Sequence, residues 1–116
     1  MAIKRIEAGP RMSKAVVHGN TVYLAGITAD DPKGDVKEQT KQILAQIDRH
    51  LAAAGTDKSK LLSANIWLTD IGTWADMNTV WDAWVAPGNT PARATVEAKL
   101  AAPGLKVEIM VVAAIG

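Results

Sequence analysis

Leu61-Leu62-Ser63-Ala64-Asn65-Ile66-Trp67-Leu68-Thr69 alternates along its length: Leu62, Ala64, Ile66 and Leu68 fall on one side of an extended chain, with Ser63, Asn65, Trp67 and Thr69 on the other. This period of two predicts a strand, and its flanks set the fold class. Upstream, Asp35 with Glu38 three positions on resembles a capping box. Val36, Thr40, Ile43, Ile47, Leu51 and Ala54 then step by fours and threes up to Gly55, which predicts a helix over 36–54. Downstream, Thr73 and Asp76 offer a second capping signal. Trp74, Met77, Asn78, Trp81, Trp84 and Val85 share one side of a helix over 74–85 that stops before Pro87-Gly88.

Further out, Ala15–His18 and Thr21–Ile27 are β-branched or apolar runs separated by Gly19-Asn20, the spacing of a two-residue hairpin turn. Asp30-Asp31-Pro32-Lys33-Gly34 is rich in turn residues. Residues 92–99 and 105–115 alternate again on either side of Ala101-Ala102-Pro103-Gly104 and are expected to pair as a closing hairpin. The predicted order is ββαβαββ. It describes an α+β domain over residues 1–116, with a mostly antiparallel sheet and two helices on one face. The other face would carry Arg93, Thr95 and Glu108 beside Tyr23, Trp67, Met110, Val112 and Ala114. That is too apolar for full solvation, so self-association is expected.

Composition narrows the function. A hydrophobic fraction of 48% and a charged fraction of 22% describe a folded domain and exclude disordered or fibrous chains. Thirteen Lys and Arg against twelve Asp and Glu give a net charge of +1, without the basic excess that nucleic-acid binding requires. The absence of cysteine removes disulfides, thiolate nucleophiles and Cys metal sites. The first residues contain no apolar leader and no apolar run suits a membrane span, so cytoplasmic residence is expected. His18 and His50 lack a third ligand at metal spacing, and no nucleophile elbow, phosphate loop or dinucleotide fingerprint occurs.

Chemistry must then come from Arg, carboxylate, backbone groups and water. Arg93 opens a strand of small residues, Ala92, Ala94 and Thr95, after Thr90-Pro91, and its planar fork suits a small carboxylate. Glu108 sits in the apolar run 105–109, where partial desolvation would bring its carboxyl group toward general acid–base use. Strict alternation puts the two on one sheet face; spacing alone reads them as a structural ion pair or as two solvated edge residues. Asn78 interrupts an apolar helix face and needs hydrogen-bond partners, either backbone or a ligand. The tryptophans at 74, 81 and 84 read as core, while Trp67 is left open. Gly26 within a strand signals a bulge or a closely approaching ligand.

Pro91-Ala92-Arg93-Ala94-Thr95-Val96-Glu97 followed by Val107-Glu108-Ile109 resembles the C-terminal signature of the RidA (YjgF) reactive-intermediate deaminases. Gly9-Pro10, Ser13–Val16, Val22–Gly26, Glu38-Gln39-Thr40, Ala53-Ala54-Gly55 and Asp76-Met77-Asn78 with Trp81 extend the likeness over the whole chain. The resemblance implies a chorismate-mutase-like fold and a homotrimer with ligand sites between subunits. It also implies cofactor-free hydrolysis of enamines and imines, of the 2-aminoacrylate and 2-iminopropionate type, to 2-keto acids and ammonia. Under it Arg93 matches the carboxylate-binding arginine and Glu108 the glutamate that handles water. Asn78 matches a cleft asparagine and Gly26 a glycine bordering the ligand, and main-chain groups near Thr95 help to orient it. Two positions depart from the pattern: Met12 stands where many members have a tyrosine, and Met110 where a second acid is common. A trimeric carboxylate-binding or chaperone-like protein without turnover is the alternative. RNA cleavage, an activity of some relatives, is disfavoured by the near-neutral charge and the lack of a paired histidine.

Overall fold

The computed structural model describes residues 1–116. Seven strands form one sheet: β1 (Ile3–Ala8), β2 (Ser13–His18), β3 (Thr21–Leu24), β4 (Ile27–Thr28), β5 (Leu61–Leu68), β6 (Ala92–Glu97) and β7 (Val107–Ala114), in the order β1-β2-β3-β7-β5-β6 with β4 also on β7. Helices α1 (Val36–Ala53) and α2 (Trp74–Trp84) complete it. The fold is the expected α+β sheet, antiparallel except for β5 with β6.

Local chemistry accounts for the boundaries. Asp35 is extended and its carboxylate accepts from Glu38 N at 2.9 Å, so the capping reading of α1 holds. Gly55 at φ +85° ends that helix in the left-handed region open to glycine. The second capping signal fails, because Thr73 caps nothing with its side chain. Asp70 instead accepts from Gly72 N at 2.8 Å and opens a short 3₁₀ turn over Ile71–Thr73 that leads into α2.

Three further differences shape the molecule. First, β6 and β7 do not pair with each other. β7 lies centrally, between β3 and β5, while β6 lies at the edge, parallel to β5 through the α2 crossover. Burial explains the choice: Val107, Ile109, Val111 and Ala113 are 0% exposed and stabilise only a central strand, whereas small, exposed Ala92 and Ala94 suit an edge. Second, β1 adds an edge strand on β2 that Lys4, Arg5 and Glu7 conceal from a hydrophobic reading. Third, the β5 register shifts between Leu61 and Ser63, so Leu61 enters the core and Leu62 turns outward.

The core lies between the helices and one face of the sheet. Ile43, Ile47 and Leu51 of α1 and Met77 and Trp81 of α2 pack over Ile66, Leu68, Ile109 and Val111. Trp74, expected in this layer, is instead about half exposed at the start of α2. No helix covers the opposite face, where Tyr23, Trp67, Met110, Val112 and Val96 lie together by register.

Candidate functional site

Strand register fixes where the chemistry points. In β6, Arg93 pairs with Ala64 and Thr95 with Ile66, and both partners belong to the core face. Arg93 and Thr95 therefore point toward the helices at the sheet edge. Glu108 pairs with Trp67 in β5 and Thr28 in β4, on the uncovered face. The expectation that Arg93 and Glu108 share a sheet face is thus wrong: it treated β6 and β7 as direct neighbours in a hairpin, and the actual pairing through β5 reverses their parity.

The arginine half of the site is well organised. Arg93 Nη1 donates to Asn78 Oδ1 at 2.7 Å, and the guanidinium lies 5.3 Å from the centre of the Trp81 ring. Trp81 is 4% exposed and cannot move aside. A charge-assisted hydrogen bond on one edge and an aromatic face behind fix the plane of the fork, leaving its other donors for a ligand. Partial burial pulls Arg93 below the usual arginine pKa, with Asp82 opposing the shift. An ordinary arginine starts so high that the group stays cationic at any working pH. Two positions along the strand, Thr95 Oγ1 is buried with no hydrogen-bond partner, a polar atom whose desolvation nothing in the chain offsets. The sequence alone points only to the main chain at this position.

The glutamate half lies across the sheet. Gly26 lies in the break between β3 and β4, and a Cβ built on it would collide with Glu108 Oε2 and come within 3.1 Å of Glu108 Cδ. Glycine is required there by this close approach, so the carboxylate rests directly on the Gly26 backbone. Met12 is separate from both halves. It lies in the turn between β1 and β2, half exposed, with its carbonyl accepting from Gly9 N at 2.8 Å. Sheet order puts that turn at the edge opposite β6. The structure therefore unites Arg93, Asn78 and Thr95 in one cluster and Gly26 with Glu108 in another, and unites neither with Met12. The largest concavity of the chain, between α1 and α2, contains none of them.

Sequence reasoning missed Trp81 and Asp82 as neighbours of Arg93. Trp81 lies three positions after Asn78, on the same helix face, and that spacing could have revealed it.

Comparison with known proteins places this geometry in a family. The family model for endoribonuclease L-PSP matches residues 2–115. The RutC family protein YoaB of Escherichia coli is 47% identical over 115 residues, covering 99% of this chain and 100% of that one. The chain belongs to the RutC/YjgF (Rid) family. Among solved structures, the YjgF family member NMB1025 of Neisseria meningitidis is 47% identical with a TM-score of 0.97, covering 100% of this chain and 97% of that one. The Rid family protein YyfA of Yersinia pestis is 30% identical with a TM-score of 0.91, covering 98% and 100%. The resemblance drawn from the sequence, and with it the YjgF-type α+β fold, is borne out.

Proposed function

We propose that this Rid family chain hydrolyses small carboxylate-bearing imines and enamines to 2-keto acids and ammonia, as a cytoplasmic homotrimer whose sites lie between subunits. The observation that carries this reading is the segregation of two incomplete halves. A preoriented guanidinium sits on one side of the protomer and a glycine-seated carboxylate on the other, so a functional pocket needs two copies. The uncovered apolar sheet face gives the copies a reason to meet.

In such a site Arg93 of one copy grips the substrate carboxylate, with Asn78 and Trp81 holding the fork. Glu108 of the next copy takes a proton from water as the oxygen adds to the imine carbon, and the imine nitrogen takes a proton from solvent to give a carbinolamine. The carbon–nitrogen bond then breaks as Glu108 returns its proton to the nitrogen, which leaves as ammonia, and the hydroxyl proton passes to solvent as the keto group forms. An enamine first takes a proton at its terminal carbon and loses one from its nitrogen to solvent, which gives the imine. No cofactor is needed, because an imine conjugated to a carboxylate is already electrophilic.

The test generates 2-iminopropionate from alanine with an amino acid oxidase and follows semicarbazone formation. The protein is predicted to compete for the imine and lower the semicarbazone rate in proportion to its concentration; an unchanged rate across that range would refute the assignment. Met12 in place of a tyrosine favours a second reading, a carboxylate-binding trimer without turnover. In that case a 2-keto acid would bind at Arg93 while the semicarbazone rate stayed constant.

A further inference from the structure

α1 and α2 run side by side in the same direction. Lys37 lies 3.9 Å from Asp76 near the start of both helices, and Asp48 accepts from Trp84 Nε1 at 3.0 Å toward their ends. Between them is a groove of about 580 Å³, within the range that takes a small organic ligand. Leu44, Val80 and Ala83 give it an apolar floor, and Trp84 closes one end. The indole is locked by its bond to Asp48 and by Lys58, whose ammonium lies 5.2 Å from the ring centre.

Charge decides what such a groove takes. Three lysines, Lys37, Lys41 and Lys58, line it against one carboxylate, Asp48, which the Trp84 N–H already occupies. Lys41 and Lys58 form no salt bridge, and the contact of Lys37 with Asp76 is long. A neutral apolar ligand would leave this excess of positive charge unanswered, and a cation would be repelled. Along α1, Lys41 to Asp48 spans about 10 Å, the length of a chain of about eight carbons.

We propose that this groove binds a medium-chain carboxylate, with its head between Lys37 and Lys41 and its alkyl chain along Leu44, Val80 and Ala83 to end on Trp84. The inference is independent of the chemistry assigned to Arg93 and Glu108.

Titration of the ¹⁵N-labelled protein with sodium octanoate tests it by NMR. Expected are saturable shifts of the Trp84 indole N–H and of the Leu44 and Val80 amides, with a Kd on the order of 1 mM or tighter. The double variant Lys37→Gln/Lys41→Gln, altered only on a helix surface, should weaken binding about tenfold. 1-Octanol should not shift these resonances, and Arg93→Ala should bind octanoate as the parent does. Shifts centred on Arg93 and Asn78, shifts that fail to saturate, equal binding of octanol, or an unaffected double variant would each overturn the proposal.

Discussion

Arg93 owes its orientation to two neighbours that act differently. Asn78 fixes one edge of the guanidinium through the 2.7 Å bond, and the Trp81 ring backs its face. Asn78→Ala removes the first and keeps the charge, so kcat/KM for an imino acid should fall about tenfold, chiefly through KM, without loss of fold. Steady-state kinetics beside a melting curve checks this. Gly26 acts at the other end of the chemistry. In Gly26→Ala the new methyl group takes the place of Glu108 Oε2 and swings the carboxylate away. We expect kcat to drop by about tenfold or more while KM holds, since carboxylate binding is untouched; an unchanged kcat would remove Glu108 from the reaction. Each of these residues was legible in the sequence as a type in an unusual setting: an arginine among small residues, an amide on an apolar face, a glycine within a strand. Their grouping was not, because grouping depends on strand pairing that no local pattern encodes.

Elements were more readable than their connections. Helical spacing in α1 and α2 and alternation in β5 report burial of one face, which is a local property and survives in the sequence. The partnership of β6 with β5 rather than β7 depends on which strand is flanked on both edges by neighbours, a property of the whole sheet. Gln39 shows how the long connections are secured. Its side chain is fully buried; Nε2 donates to the carbonyls of Pro32, Gly34 and Gly104 at 2.9–3.1 Å, and Oε1 accepts from Lys106 N at 2.9 Å. One amide thus ties the turn before α1 to the segment that leads into β7. Gln39→Ala orphans several backbone groups at once and should cost about 2–4 kcal/mol, read from chemical denaturation. Wild-type stability in that variant would show that water replaces the amide without loss.

For the whole molecule, the uncovered sheet face carries the largest consequence. Tyr23 and Val96 are about half exposed there, beside Trp67, Met110 and Val112. An isolated protomer would present this apolar surface to water, and alternation in β3, β5 and β7 already disclosed it in the sequence. Val112→Glu puts a charge at its centre. Light scattering should then give the mass of one chain in place of the three of the proposed trimer, and the proposed imine hydrolysis should disappear although Arg93 and Glu108 are both intact. An active monomer would separate catalysis from assembly.

That Arg93 and Glu108 meet only across a boundary between copies is tested most directly by complementation. Arg93→Ala and Glu108→Gln are each expected to be inactive as homo-oligomers. Coexpressed in equal amounts, they form mixed assemblies in which about a quarter of the boundaries join an intact arginine to an intact glutamate. The account predicts recovery of about a quarter of the parent's imine-hydrolysis rate per site; a mixture as inactive as its components would contradict it.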